Sequence, residues 1–278
     1  MSGPLISIIT PTLNCGELLD GCIESVLAQN YPRCEHIIMD GGSTDGTLSV
    51  LERHKHLVWR SEPDSGEANA LNRALKMVKG DLVLWLNADD YLTPGALARV
   101  AEVYAQHAQP CVIYGDIDYI DEDGKFLMHQ QSAPVADLPL FLRWWRNLRH
   151  PHQPAIFYGK EVVDTVGAFR EDLFFAIDQE YQLRAVLHYP FHYAGMTLAV
   201  QRIRKSSKSW EAGKKCTDVH RAITLAYVRY LKPSEKLSFW FDYGIQHFVP
   251  IPAELKMRLK IRTRLRELFA PWQQKANR

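Results

Sequence analysis

Over its first third the chain alternates short apolar runs with stretches of helical periodicity. Leu5 to Thr10 is a β-branched apolar run ending at Pro11, the pattern of a buried strand. From Glu17 to Gln29, the apolar residues Leu18, Leu19, Cys22, Ile23, Val26 and Leu27 recur at helical spacing. His36 to Met39 is a second apolar run, stopped by Asp40-Gly41-Gly42-Ser43. A helix over Thr47 to His54, a strand over Leu57 to Arg60, a helix over Glu67 to Lys79 and a strand over Leu82 to Leu86 follow. This alternation predicts an α/β fold, an open and mostly parallel sheet with helices on both faces, Rossmann-like in layout.

Such sheets bind ligands at the carboxyl ends of their strands. The segments after the four strands are Pro11 to Asn14, Asp40 to Ser43, Glu62 to Gly66 and Asn87 to Asp90. All are polar and three carry carboxylates. Purely structural loops have no need of an acid after strand upon strand, so these segments are expected to line one crevice.

Beyond residue 90 the pattern predicts a helix over Pro94 to Ala108, with Pro94 in its first turn, and a strand over Val112 to Tyr119. A turn at Asp121-Glu122-Asp123-Gly124 and an aromatic-rich helix over Leu138 to Leu148 come next. Then follow a strand over Ala155 to Tyr158 and helices over Lys160 to Thr165 and Gln179 to Leu187. Residues 218–278 read as helices broken at Pro233, Pro250, Pro252 and Pro271.

Composition adds one asymmetry. The 278 residues are 46% hydrophobic and carry a net charge of +1. Residues 1–200 hold 15 Lys and Arg against 26 Asp and Glu, whereas residues 201–278 hold 18 against 6. The basic end suits an anionic partner, or a helical tail with solvated charges. Five cysteines without CxxC spacing form neither a disulfide framework nor a zinc site, and fit a reducing compartment. The N-terminus has no charged segment followed by an apolar core, and the run Leu82 to Leu86 is far short of a membrane span. A cytoplasmic protein, with the option of lying on the inner face of the membrane, is the expectation.

Asn87-Ala88-Asp89-Asp90 is the first candidate for chemistry. A hard cation such as Mg²⁺ or Mn²⁺ is held by one or two carboxylates together with substrate phosphates, and stabilises the charge of a departing pyrophosphate. A helix cap or a turn explains the same two aspartates equally simply. Asp178, with Glu180 beside it, follows the apolar run Phe174 to Ile177. It suits a general base, or a helix N-terminus.

In order and spacing, these segments resemble glycosyltransferase family 2, a group of inverting enzymes with the GT-A fold. The resemblance runs from Leu5 to about residue 205. Ile9-Thr10-Pro11-Thr12-Leu13-Asn14 is similar to the family's opening strand, and Glu24 to Gln29 to its first helix. Asp40-Gly41-Gly42-Ser43-Thr44-Asp45-Gly46-Thr47 is similar to its second-strand signature, and Gly80-Asp81 with Leu86 to Asp90 to its fourth strand and metal motif. The resemblance implies a transfer of sugar from a nucleotide-sugar donor, here a UDP-sugar, to an acceptor hydroxyl. The setting it implies is cell-surface polysaccharide or lipopolysaccharide assembly.

It also implies roles. Pro11, Thr12 and Asn14 border the nucleoside, and Asp40 accepts the uracil N–H. Asp64, Gly66, Asn72 and Ala88 lie along the nucleotide, although Leu71 stands where the family often has Arg. Asn87, where the family has the first Asp of its motif, holds the ribose, while Asp89 binds Mn²⁺ or Mg²⁺. Phe174 to Arg184 resembles the family's acidic motif, which makes Asp178 the base and Glu180 an acceptor-binding acid. His152-Gln153 matches a segment beside the acceptor. The basic run Arg202 to Ser209 resembles a loop over the pyrophosphate, which Arg202 and Arg204 would bind.

Residues 1–110 then form the nucleotide-sugar-binding half, 111–215 the acceptor and catalytic-base half, and 216–278 a basic helical C-terminal region. Within that region, Met257, Ile261, Leu265 and Leu268 form an apolar stripe flanked by Lys and Arg, with Phe269 and Trp272 beyond. Such a helix suits an anionic membrane carrying a lipid-linked saccharide acceptor, or packing on the catalytic domain. A nucleotidylyltransferase would start with a Gly-rich loop bearing Arg. A nucleic-acid-binding protein fits the acidic crevice poorly, so no nucleic acid is expected as a partner.

Overall fold

The computed structural model describes residues 3–107, 109–145, 149–208 and 213–247. β1 (Ile6–Thr12) is flanked by β2 (Cys34–Asp40) and β4 (Leu82–Trp85), and β3 (Val58–Ser61) lies beyond β2, all parallel. Thr12 pairs with Asp40, and Asp40 with Ser61. The carboxyl ends of these strands therefore share one edge, as the sequence predicts.

Alternation along β1 divides the core. Ile6 and Ile8 pack with Cys22 and Val26 of α1 (Gly16–Leu27) and with Leu97 and Val100 of α4 (Ala96–Ala105). Ile9 faces the other way, onto Ala70, Leu71 and Ala74 of α3 (Glu67–Leu75). α2 (Thr47–Arg53) places Val50 and Leu51 against Ile38 of β2. A two-faced apolar strand covered by helices is the consequence of parallel pairing.

The second half extends the same sheet, but not in parallel throughout. β8 (Ile156–Gly159) runs antiparallel to β4, and β6 (Val112–Ile120) antiparallel to β8. β9 (Phe191–Arg202) is parallel to β6, so its end at Arg202 returns to the edge shared by β1, β2 and β4. The order is β3-β2-β1-β4-β8-β6-β9-β5, with β5 (Tyr91–Leu92) antiparallel to β9 and β7 (Phe126–Gln130) hairpinned onto β6.

Three strands are absent from the periodicity reading: β5, β7 and β9. β5 has two residues, too few for a pattern, and β7 is a half-exposed edge. β9 is interrupted by Gly195 at φ 67° and mixes His, Gly and Gln into its apolar positions. α5 (Leu138–Leu142) stops short of the expected Leu148; Asp137 caps it, its Oδ1 accepting the Leu140 N–H at 2.9 Å. α4 starts two residues after Pro94 and ends at Ala105 rather than Ala108.

α6 (Lys160–Val166) and α7 (Ile177–Val186) complete the domain. α8 (Lys214–Tyr227) and α9 (Pro233–His247) pack on it. The Phe239 and Tyr243 rings lie 5.5 Å from Trp145, and Arg143 Nε donates to Asp242 Oδ2 at 3.0 Å. The amphipathic stripe from Met257 to Leu268 and the aromatic residues beyond it lie outside the described residues. Among the described residues no helix is long and apolar enough to cross a membrane.

Histidines held away from water give the fold a pH signature. His36 is 2% exposed and its Nε2 meets Thr10 Oγ1 at 2.9 Å. Burial pushes both His36 and His150 from their ordinary 6.5 down to about 3. The unfolded chain takes up these protons below about pH 6.5 and the folded chain does not, so stability present above that pH is lost on acidification. Unfolding free energy, measured by denaturant titration, should fall from about pH 6.5 towards pH 4, and the fall should be shallower in His36→Gln by the slope of one proton, about 1.4 kcal/mol per pH unit. Parallel profiles for the two proteins would contradict this assignment.

Candidate active site

A cleft of about 770 Å³ opens along the shared strand edge. Its walls are the end of β1 at Pro11 and Thr12, the Asp64 to Glu67 segment, Asn87 to Asp90 after β4, and Gln201 to Lys208 at the end of β9. Gly66 sits at φ 125°, a conformation side chains resist, and donates its N–H to Asp64 Oδ1 at 2.8 Å. That turn starts α3 at the cleft, with the helix's partial positive end toward it.

The two adjacent aspartates differ in burial and in partners. Asp90 is 1% exposed; its Oδ1 accepts the Arg202 N–H at 3.0 Å and its Oδ2 accepts from Asn87 Nδ2 at 3.3 Å. Burial, reinforced by Asp89, pushes its carboxyl well above the usual range. Asp89 faces the cleft, where Arg204 Nε donates to its Oδ2 at 2.7 Å. One carboxylate is therefore presented to a ligand. Among the described residues, no group of three or more His, Cys, Asp or Glu could hold a metal ion on protein ligands alone. This donor set fits a hard cation that arrives with the phosphates of its substrate, and not a preformed cage.

A second cavity of about 150 Å³ adjoins the cleft. Trp85, His152, Gln153 and Phe174 to Asp178 line it. Ala176 precedes α7 at φ 57°, left-handed backbone that costs an alanine about 1–2 kcal/mol. That turn delivers Asp178, the second residue of α7, to the cavity wall. His152 Nδ1 meets the Tyr119 hydroxyl at 3.1 Å. Burial pushes the imidazole down to about 4 against the opposing pull of Asp178, so it is neutral at pH 7. Glu67, Asn87, Phe174, Gln201 and Lys208 line both cavities and mark their junction.

Of the residues singled out from sequence, Pro11, Thr12, Asp64, Gly66, Asn87, Ala88, Asp89, Arg202 and Arg204 line the cleft, and His152 and Asp178 the smaller cavity. Others have different work. Asp40 is 1% exposed and its carboxylate is taken up by the Gly42 and Ser43 N–H groups and the Ser43 and Ser61 hydroxyls. It organises its loop through these four contacts. Asn14 braces the same loop, its N–H on Ser43 Oγ at 2.7 Å and its Oδ1 accepting the Thr44 N–H at 2.9 Å.

Asn72 ties α3 to the segment after α6, bonding the Phe169 backbone in both directions and Glu171. Glu180 is 4% exposed and held by Arg184 and the Tyr227 hydroxyl. Two residues along a helix is a rotation of about 200°, so an acid two places from Asp178 points away from the cavity. The Arg202 guanidinium is committed to the Asp121 and Glu122 carbonyls and the Tyr91 hydroxyl. Asn87 does reach the cleft, but its amide bonds Trp85 Nε1, Asp90 and Gln153, which leaves little for a ribose. Glu67 was not anticipated as a site residue; Lys208 was expected only as part of the basic run Arg202 to Ser209, and it lines both cavities.

Known proteins share this fold. Residues 7–169 match the family model Glycosyl transferase family 2. A PGL/p-HBAD biosynthesis glycosyltransferase of Mycobacterium bovis is 30% identical over 190 residues, 66% of this chain and 70% of that protein. An uncharacterized glycosyltransferase of Mycobacterium tuberculosis is 32% identical over 192 residues, 67% of this chain and 70% of its own length. Among solved structures, S. aureus TarS superposes with a TM-score of 0.66 at 19% identity, covering 90% of this chain and 44% of TarS. The mannosyltransferase PcManGT of Pyrobaculum calidifontis, in complex with GDP-Man and Mn²⁺, superposes at 0.54 and 18% identity, covering 99% of this chain and 84% of that one. With a GT-A sheet, a carboxylate at the end of β4 and a family match over most of the domain, the chain belongs to glycosyltransferase family 2.

Proposed function

We propose that this glycosyltransferase moves a sugar from a UDP-sugar to an acceptor hydroxyl by single displacement, with inversion at the anomeric carbon. The observation that carries the reading is the pair of adjoining cavities, one with Asp89 and Arg204 on its wall and the other with Asp178 and His152. Nucleoside and diphosphate would occupy the larger, against Pro11, Thr12, Asp64 and Ala88. The acceptor would enter the smaller. TarS in complex with UDP and with UDP-GlcNAc supports the choice of nucleotide.

In this reaction the acceptor oxygen attacks the anomeric carbon as Asp178 takes its proton. The bond from that carbon to the diphosphate oxygen breaks, and the electron pair leaves with UDP. Arg204 can turn from Asp89 to the diphosphate, where its fork of donors matches phosphate oxygens. Asp89 would hold Mn²⁺ or Mg²⁺, which supplies positive charge to the leaving group. His152, held by the Tyr119 hydroxyl, would position the acceptor. The acceptor is a saccharide, carried on lipid in cell-surface glycan assembly, and the basic C-terminal region is suited to bring the enzyme to the membrane that holds it.

Two measurements test this reading. Asp178→Asn should keep UDP affinity within about twofold and lose transfer by about 10²–10⁴-fold, the usual contribution of a general base. An Asp178→Asn enzyme with ordinary turnover would remove the base assignment. By calorimetry, Mn²⁺ alone should bind only weakly, whereas UDP should bind more tightly with Mn²⁺ than without, and Asp89→Ala should abolish that difference. Equal UDP affinity with and without metal in the unaltered protein would remove the metal assignment.

A further inference from the structure

The junction between the cavities carries an ion pair. Lys208 Nζ donates to Glu67 Oε2 at 3.0 Å, and each side chain is 30% exposed. Lys208 also stands 4.2 Å from the centre of the Phe174 ring. The pair joins the first residue of α3 to the segment past β9. Glu67 Oε1 has no hydrogen-bond partner among the described residues. Burial pushes the Glu67 carboxyl up, with Lys208 opposing and the charges of Asp178 and Asp89 adding to it, so Glu67 lies within electrostatic reach of both.

We infer that the Glu67–Lys208 pair reads the transferred sugar and selects neutral sugars over uronic acids. The inference rests on the function proposed above. With the diphosphate beside Asp89 and the acceptor beside Asp178, the sugar between them must cross the junction that Glu67 and Lys208 line. Hydroxyl groups find there a carboxylate oxygen to donate to and an ammonium to accept from. A sugar carboxylate finds the field of Glu67 and Asp178, and the nearest ammonium already neutralised by Glu67. Discrimination of this kind works by repulsion as much as by contact.

The test measures Kd by calorimetry for UDP, UDP-glucose and UDP-glucuronate, each sugar nucleotide expressed relative to UDP. The unaltered protein should bind UDP-glucose at least about tenfold more tightly than UDP-glucuronate, the worth of one charge-assisted hydrogen bond. Glu67→Gln, which keeps the shape but frees the Lys208 charge, should move that ratio about tenfold toward UDP-glucuronate. Lys208→Met should move it the opposite way. A general loosening of the cleft would move both variants in one direction. Shifts of the same sign, an unchanged ratio in both variants, or a preference of the unaltered protein for UDP-glucuronate would overturn the inference while leaving the donor site standing. Failure of the unaltered protein to bind UDP would overturn the functional reading and the sugar assignment together.

Discussion

The pairing of β5 with the end of β9, Tyr91 opposite Val200 and Leu92 opposite Ala199, together with the hydrogen bond from the Arg202 backbone N–H to the buried Asp90 carboxyl, holds the two halves of the cleft in register. β4 and β9 are separated in the sheet by β8 and β6, so their ends do not pair directly. β5, which follows β4 directly and pairs with β9, spans that gap, and Asp90 adds a side-chain contact beside it. With Oδ1 on Arg202 and Oδ2 on Asn87, it fixes the turn after β4 against the end of β9. Asp90 takes the Arg202 backbone N–H and Asp89 the Arg204 side chain, two residues further along the same segment. A buried carboxyl costs free energy unless its oxygens are bonded, and both of these are.

This division gives adjacent acids unlike roles. Asp90 is structural and Asp89 is available. The same logic separates Asp178 from Glu180, one on the cavity wall and one locked to Arg184 and Tyr227. The second contact joins α7 to α8, and Gln179, beside Asp178, is likewise held by Thr224 and His220 of α8. The C-terminal helices therefore brace the helix that presents Asp178, although they lie beyond the segment that matches the family model.

The first four strands, their parallel order and the crevice at their ends were legible because β1, β2 and β4 are apolar runs, β3 is a short one on the exposed edge, and each is followed by a polar stop. β9 was not legible, since Gly195 and its polar residues break the period, and with it went the structural context of Gln201 to Lys208. Site residues were legible as a neighbourhood more than as roles. Sequence places Asp40, Asn72 and Arg202 near the cleft, but whether a side chain faces a ligand or its own loop depends on partners far along the chain. Ser61 for Asp40, Glu171 for Asn72 and Tyr91 for Arg202 are such partners. Glu67 shows the reverse case, a residue with no local signal that acquires significance from Lys208, far along the sequence.

The central claim is that nucleotide and acceptor occupy separate, adjoining cavities with Asp89 and Asp178 on opposite sides of the transferred sugar. A crystal structure with UDP and Mn²⁺ tests it most directly. The account predicts the diphosphate in the larger cleft, against Asp89 and Arg204, with the cavity beside Asp178 and His152 left for the acceptor. A diphosphate bound beside Asp178, or away from the ends of β1 and β4, would contradict it.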